Sequence, residues 1–153
     1  MKKVVLVTGG FDPLHSGHIA YIKAARELGD VLVVGLNSDE WLTRKKGKPF
    51  LSVEERLAVA GELRSVDVLI VFDDSDGTAI DAITKVLEMY PGDEVIFANG
   101  GDRTVENIPE MVIDSNRLQF MFGVGGADKK NSSSWILKKY KEGEVDGKDG
   151  KDS

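Results

Sequence analysis

Two kinds of apolar pattern alternate along the chain. The first is a short, nearly continuous run, found at residues 3–8, 31–36, 66–72, 94–98 and 118–123. Runs of this length, rich in Val, Ile and Leu and without strict alternation, predict strands covered on both faces. The second pattern returns an apolar residue every three or four positions. Over 17–28 it places Ile19, Ile22, Ala25 and Leu28 on one helical face. Over 53–63 it follows Ser52, with Glu55 three residues on, a capping-box signature. Over 78–90 it carries Ile80, Ile83, Val86, Leu87 and Tyr90 and stops at Pro91-Gly92. Over 132–140 it leaves Ile136, Leu137 and Tyr140 as contacts. Strands and helices taking turns predict a single α/β domain, with about five parallel strands and helices on both faces, joined by right-handed crossovers.

That domain is expected over residues 1–140. Residues 141–153 hold Gly, Lys, Asp and Glu with one Val, cannot bury apolar area, and are expected to be disordered. Composition changes the picture in three places. The net charge of −6 provides no global basic field for nucleic acid, so any anion site has to be local. Cysteine is absent, which excludes a disulfide framework, thiolate catalysis and Cys-ligated zinc, and fits a reducing compartment. No apolar run approaches the length of a membrane span, and the start runs directly into the first strand and a glycine turn. A cytoplasmic protein is expected.

Ligands of open parallel sheets bind at the carboxyl ends of strands. The first such end reads Thr8-Gly9-Gly10-Phe11-Asp12-Pro13-Leu14-His15-Ser16-Gly17-His18. Two glycines let the backbone approach a bulky anion. The free N–H groups and dipole of the next helix favour a phosphate at its start. His15 and His18, three apart at that start, can face one phosphate and donate hydrogen bonds as charge builds during phosphoryl transfer. A Gly-Gly turn is commonly only a turn, and two histidines can be surface residues or half of a metal site. These are the only histidines in the chain, however, and no cysteine is available to complete a metal site, so no metal held by protein side chains is expected.

The arrangement Gly10-Phe11-Asp12-x-x-His15-x-Gly17-His18 resembles the signature of the cytidylyltransferase-like nucleotidyltransferases. That family includes glycerol-phosphate, choline-phosphate and ethanolamine-phosphate cytidylyltransferases and the adenylyltransferase part of the ADP-heptose synthesis enzyme. The resemblance implies a Rossmann-like fold. It also implies that Gly9, Gly10, Phe11, His15 and His18 meet a triphosphate, with both histidines catalytic at the α-phosphate. The cationic run after the second strand holds Arg44, Lys45, Lys46 and Lys48 in an otherwise acidic chain. Alone it reads as a solvated loop; the resemblance assigns Lys46 and Lys48 to substrate phosphates, with Lys46 also catalytic, and puts Asp12 and Asp39 beside the acceptor. Glu54-Glu55-Arg56 and Leu63-Arg64-Ser65-Val66-Asp67 resemble family positions that stabilise the fold and often a dimer.

After the fourth strand, Gly100-Gly101 leave room for a base against the backbone, and Asp102 and Arg103 offer polar contacts to a nucleotide. The Gly-Gly-Asp form is similar to that of the heptose adenylyltransferases. Ser132, Ser133 and Ser134 open the last predicted helix, where hydroxyls and free amides suit phosphate. Many cytidylyltransferases carry an Arg-Thr pair just earlier; Ala127-Asp128 stands there in this chain, leaving Lys129 or Lys130 to substitute, and Lys130 is taken for that contact.

The resemblance therefore implies transfer of a nucleoside monophosphate from CTP or ATP to a phosphorylated small alcohol or sugar. It also implies a Mg²⁺ that accompanies the triphosphate, and a homodimer. The small size and the Lys46-Gly47-Lys48 element favour CTP, while the double glycine and the missing Arg favour ATP with a heptose-like sugar phosphate. A nucleotide-binding module without catalysis is the reading from another class, and intact His15, His18 and Lys46 weigh against it.

Overall fold

Five parallel strands form one sheet in the order β3-β2-β1-β4-β5. The computed structural model describes residues 1–101 and 108–125. Within them run β1 (Lys3–Gly9), α1 (Ser16–Arg26), β2 (Val31–Leu36), α2 (Asp39–Lys46), α3 (Val53–Ala60), β3 (Val68–Val71), α4 (Ile80–Met89), β4 (Glu94–Ala98), a 3₁₀ turn (Pro109–Val112) and β5 (Leu118–Met121). The five expected strands and three of the expected helices are present, with β3 and β5 shorter than their apolar runs. The helix expected at 132–140 and the tail at 141–153 lie outside the described residues. No helix among the described residues is long and apolar enough to cross a membrane.

The continuous apolar runs are explained by burial on both faces. Val4, Leu6, Val33, Val95 and Phe97 point to one side, under Ala82, Ile83 and Val86 of α4. Val5, Val7, Leu32, Val34, Leu36 and Ile96 point to the other, under Ile22 and Ala25 of α1 with Leu57 of α3. Alternate residues of one strand thus serve opposite cores. The chain order turns outward in both directions from β1 and β4, so the crevice at their carboxyl ends is the topological switch point.

The cationic segment after β2 is a helix rather than a loop. α2 buries Leu42 and has no apolar stripe, so periodicity does not reveal it. Its signals are at its ends. The Ser38 side chain caps it at Trp41 N–H, Asp39 and Glu40 sit in the first turn, and Arg44, Lys45 and Lys46 sit in the last turn before Gly47 at φ 99°. Each of these suits the helix dipole or the left-handed exit.

One side chain ties together the loops at this rim. Arg56 is 1% exposed although charged. Its Nε donates to Leu51 O (3.0 Å), its Nη1 to Gly10 O (3.0 Å) and Asn37 O (2.7 Å), and its Nη2 to Asp39 Oδ1 (2.7 Å). Replacing Arg56 with Met strands three carbonyls and Asp39. The expected loss is about 3–5 kcal/mol, as for a broken buried pair, measurable by urea unfolding. Arg56→Lys should recover little, because one ammonium cannot reproduce a planar fork; full recovery by Lys would contradict this account.

Candidate active site

The β1–α1 loop turns sharply. Phe11 adopts φ 49°, unusual for a residue with a side chain, and Asp12-Pro13 is cis. Phe11 holds that conformation with its ring buried, 5.0 Å from the His18 ring in an edge contact. The glycines have a packing reason that the sequence reading did not include. A Cβ on Gly10 would lie 2.8 Å from Leu42 Cδ2, and one on Gly9 would lie 3.1 Å from the Phe11 ring. Phe11 is therefore a core residue of the loop, and Gly10 is the point at which α2 seats against it.

His15 occupies the N-cap of α1, where Nδ1 accepts the Gly17 N–H at 3.0 Å. An amide can only donate, so the proton of a neutral His15 ring is at Nε2. The His15 and His18 rings are 3.9 Å apart. His15 Nε2 and His18 Nδ1 are both buried without a hydrogen-bond partner in the protein. Burial lowers the pKa of His15. Burial, then the charges of His15 and Lys46, lower that of His18 to about 4. Two neutral imidazoles with unpaired nitrogens thus sit at a helix N-terminus.

Asp12 fixes the neighbouring wall. Its Oδ2 accepts Phe50 N–H at 2.6 Å and its Oδ1 accepts Leu51 N–H at 2.7 Å. Lys46 Nζ donates to Asp12 O at 2.7 Å and pairs with Oδ2 at 3.2 Å. The Asp12 carboxylate is turned inward onto two amides and a lysine, with its side chain 1% exposed. It orients Lys46, a different task from the acceptor contact expected of it. Asp39 likewise faces Arg56. Lys48 is exposed on the loop after α2. Thus the structure gathers Gly9, Gly10, Phe11, Asp12, His15, His18 and Lys46 at one corner, with Asp39 behind it.

A buried network missed by the sequence reading backs this corner. Asp74, in the loop after β3, accepts Asn37 Nδ2 (3.0 Å), Ser38 N–H (2.8 Å) and Ser38 Oγ–H (2.7 Å). Burial pushes its pKa up, but these hydrogen bonds outweigh burial and hold it below the ordinary carboxylate value. Arg44 Nη2 donates to Asp74 O at 2.9 Å, so this cation braces the rim. The readable signal was a polar pair shortly after each strand, Asn37-Ser38 directly after β2 and Asp73-Asp74 one residue beyond β3. On the far side of the crevice, buried Asn99 bonds to Met121 O through N–H (2.8 Å) and Nδ2 (3.2 Å), just before Gly100 and Gly101. Asp102, Arg103, Lys130, Ser132, Ser133 and Ser134 lie outside the described residues. Among the described residues, no group of three His, Cys, Asp or Glu could hold a metal ion.

Comparison with known proteins places this geometry in a family. A family model described as cytidylyltransferase-like matches residues 6–139. The bifunctional protein HldE of Syntrophotalea carbinolica is 35% identical over 93% of this chain, and that of Citrifermentans bemidjiense is 40% identical over 91%. In both cases the match covers 28% of the relative, so the chain spans little more than a quarter of their length. The crystal structure of a lipopolysaccharide core biosynthesis protein from Thermoplasma volcanium is similar at TM-score 0.63 and 28% identity, over 84% of this chain and 100% of that one. With the histidine pair at the N-terminus of α1 and these matches across the globular part, the chain belongs to the cytidylyltransferase-like family and is a nucleotidyltransferase.

Proposed function

We propose that the protein transfers an adenylyl group from ATP to a heptose-like sugar phosphate, releasing pyrophosphate. The observation that carries this reading is the 35–40% identity to bifunctional HldE proteins over nine-tenths of the chain. HldE proteins act in ADP-heptose synthesis and contain an adenylyltransferase domain. The Gly100-Gly101-Asp102 element points the same way. Transfer of CMP, favoured by Lys46-Gly47-Lys48, becomes the second reading.

In the proposed step a phosphate oxygen of the acceptor attacks the α-phosphorus in line. A new P–O bond forms, the bond to the β-phosphate bridging oxygen breaks, and pyrophosphate leaves with that electron pair. A phosphate monoester is already nucleophilic, so the residues act by positioning and by neutralising charge. The Nε2–H of His15 and a nitrogen of His18 donate to the triphosphate at the start of α1. Lys46, oriented by Asp12, reaches between the acceptor phosphate and the nucleotide. A Mg²⁺ would enter with the triphosphate rather than on ligands of the protein. It would neutralise phosphate charge; no described carboxylate cluster is needed to hold it.

Pyrophosphate release should be measured with each of the four nucleoside triphosphates against heptose 1-phosphate, glycerol 3-phosphate and phosphocholine. ATP with heptose 1-phosphate is expected to be fastest; CTP with glycerol 3-phosphate in that place would establish the second reading. In the productive pair, His15→Ala and His18→Ala should each lower kcat about 10²-fold, the scale of a lost oxyanion donor. Near-native turnover in both would remove the histidines from the mechanism. Lys46→Ala should raise KM for the acceptor more than for the nucleotide.

The histidine pair also sets a pH dependence. The pKa of His18 falls from 6.5 to about 4 on folding, so the unfolded chain binds a proton that the native state refuses. Stability is fully present above pH 6.5 and declines as pH falls toward 4. Urea titrations of the wild type and His18→Asn at several pH values should show a shallower decline in the variant. An identical decline would assign the acid sensitivity elsewhere. Bound triphosphate, by its negative charge, should raise the His18 titration midpoint in NMR spectra.

A further inference from the structure

We propose that Asp74 is a positioning residue for Lys46, acting through α2. Asp74 is 3% exposed, and the three hydrogen bonds its carboxylate accepts from Asn37 and Ser38 converge on the start of α2. A serine hydroxyl has one proton to give. Ser38 donates it to Asp74 Oδ1 at 2.7 Å, which leaves its lone pairs for the Trp41 N–H, accepted at 3.0 Å. Asp74 thus orients the oxygen that caps the helix. The same residue holds the last turn, where Arg44 Nη2 donates to the Asp74 carbonyl at 2.9 Å. Two holds, roughly two turns apart, fix both the rotation of α2 about its axis and its position along it. Lys46 follows Arg44 by two residues, and its Nζ reaches Asp12 O at 2.7 Å. A turn or slide of α2 would carry the root of the Lys46 side chain with it.

The loop that provides these holds is itself fixed. Phe72, before it, is buried in the core under α4. Asp73 N–H donates to Asp81 Oδ2 in the first turn of α4 at 2.8 Å, and Gly77 N–H closes a turn onto Asp74 O at 2.9 Å. At the N-cap of α4, Ala79 N–H donates to the buried Glu110 Oε2 at 2.7 Å. Arg56 and Gly10 seat α2 from the catalytic corner, through Asp39 and Leu42. Asp74 seats it from a loop anchored to α4, so the lysine takes its place from a reference outside the corner it serves. Preorganisation of this kind matters for a cation that must meet two phosphates at once. The inference rests on the reading that Lys46 meets the acceptor phosphate. Arg117 supplies a control, since it donates to Leu87 O (3.0 Å), Tyr90 O (2.9 Å) and Asp93 O (2.8 Å) and so joins the start of β5 to the end of α4.

The test is steady-state kinetics with the productive pair of triphosphate and acceptor, each substrate varied in turn. It compares the wild type, Asp74→Ala, Lys46→Ala, the double variant and Arg117→Met, each below its melting temperature. Asp74→Ala should raise KM for the acceptor about tenfold, less than the ~10²-fold that an ångström of misplacement can cost, and leave KM for the triphosphate near native. In the Lys46→Ala background the same substitution should add little, because a residue that acts through another has no effect once that other is gone. Arg117→Met should lower the melting temperature and leave both KM values unchanged. If Lys46→Ala raises the acceptor KM while Asp74→Ala does not, the reading of Lys46 stands and the proposal is overturned. If Lys46→Ala leaves the acceptor KM unchanged, that reading falls and the proposal with it. Losses that multiply in the double variant would show Asp74 acting independently of Lys46 and overturn it. A fall in kcat with both KM values native would reduce Asp74 to a fold residue and also overturn it. Should Asp74→Ala not fold, Ser38→Ala, which removes the hydroxyl that Asp74 orients, replaces it under the same criteria.

Discussion

A guanidinium buried to 1% exposure is costly unless each side of its fork finds an acceptor. Arg56 finds them in Gly10, Asn37 and Leu51 carbonyls and in Asp39. These partners come from the loop after β1, the end of β2, the start of α2 and the loop between α2 and α3. Satisfying one cation therefore forces separate segments into a single register. Asp12 repeats the device at shorter range, binding the amides of Phe50 and Leu51 while orienting Lys46. The functional corner is thus built from loops that behave like core, because their polar groups are spent on one another. Preorganisation of this kind is what a reaction driven by positioning requires.

The same economy explains which groups remain for a ligand. Among the described residues, the buried side-chain nitrogens and oxygens that lack a partner are informative. His15 Nε2 and His18 Nδ1 are buried and unpaired. Leaving them so costs free energy that hydrogen bonding to a bound anion can recover. The same burial lowers the pKa of both, and at His18 the charges of His15 and then Lys46 lower it further. Neutral donors hold a departing polyanion less tightly than two fixed cations would, which suits a site that must release pyrophosphate.

The sheet was legible in the sequence because parallel strands buried on both faces leave unbroken apolar runs, as in Val4–Val7 and Leu32–Leu36. α1 and α4 were legible from their spacing. α2 was not, because a helix that buries Leu42 alone has no stripe to detect. Its caps carried the information instead, and reading Lys45 and Lys46 as a basic loop passed over Ser38 and Gly47. The histidines and Lys46 were legible as chemistry because their types and spacing are unusual in an acidic chain. The inward turn of Asp12 was not, since a carboxylate in a loop reads the same whether it meets a substrate or two backbone amides. Asp74 and Glu110 were hidden for a related reason. Each acts on an element distant in sequence, 36 residues away at Ser38 and 31 residues away at Ala79.

The distribution of acids over the helix starts shows why a polyanion would settle at one of them. α2 carries Asp39 and Glu40 in its first turn, and α3 carries Glu54 and Glu55. α4 carries Asp81 and receives Glu110 from outside. Each of these N-termini has its positive end offset by the protein's own carboxylates. Of the four described α-helices, α1 alone has no acid in its first turn, and its cap is a neutral histidine. In a chain of net charge −6 that exception is a local electrostatic well. It opens at the switch point between β1 and β4, beside Lys46. The acids that silence the other helices therefore contribute to selecting the site as much as the histidines that line it.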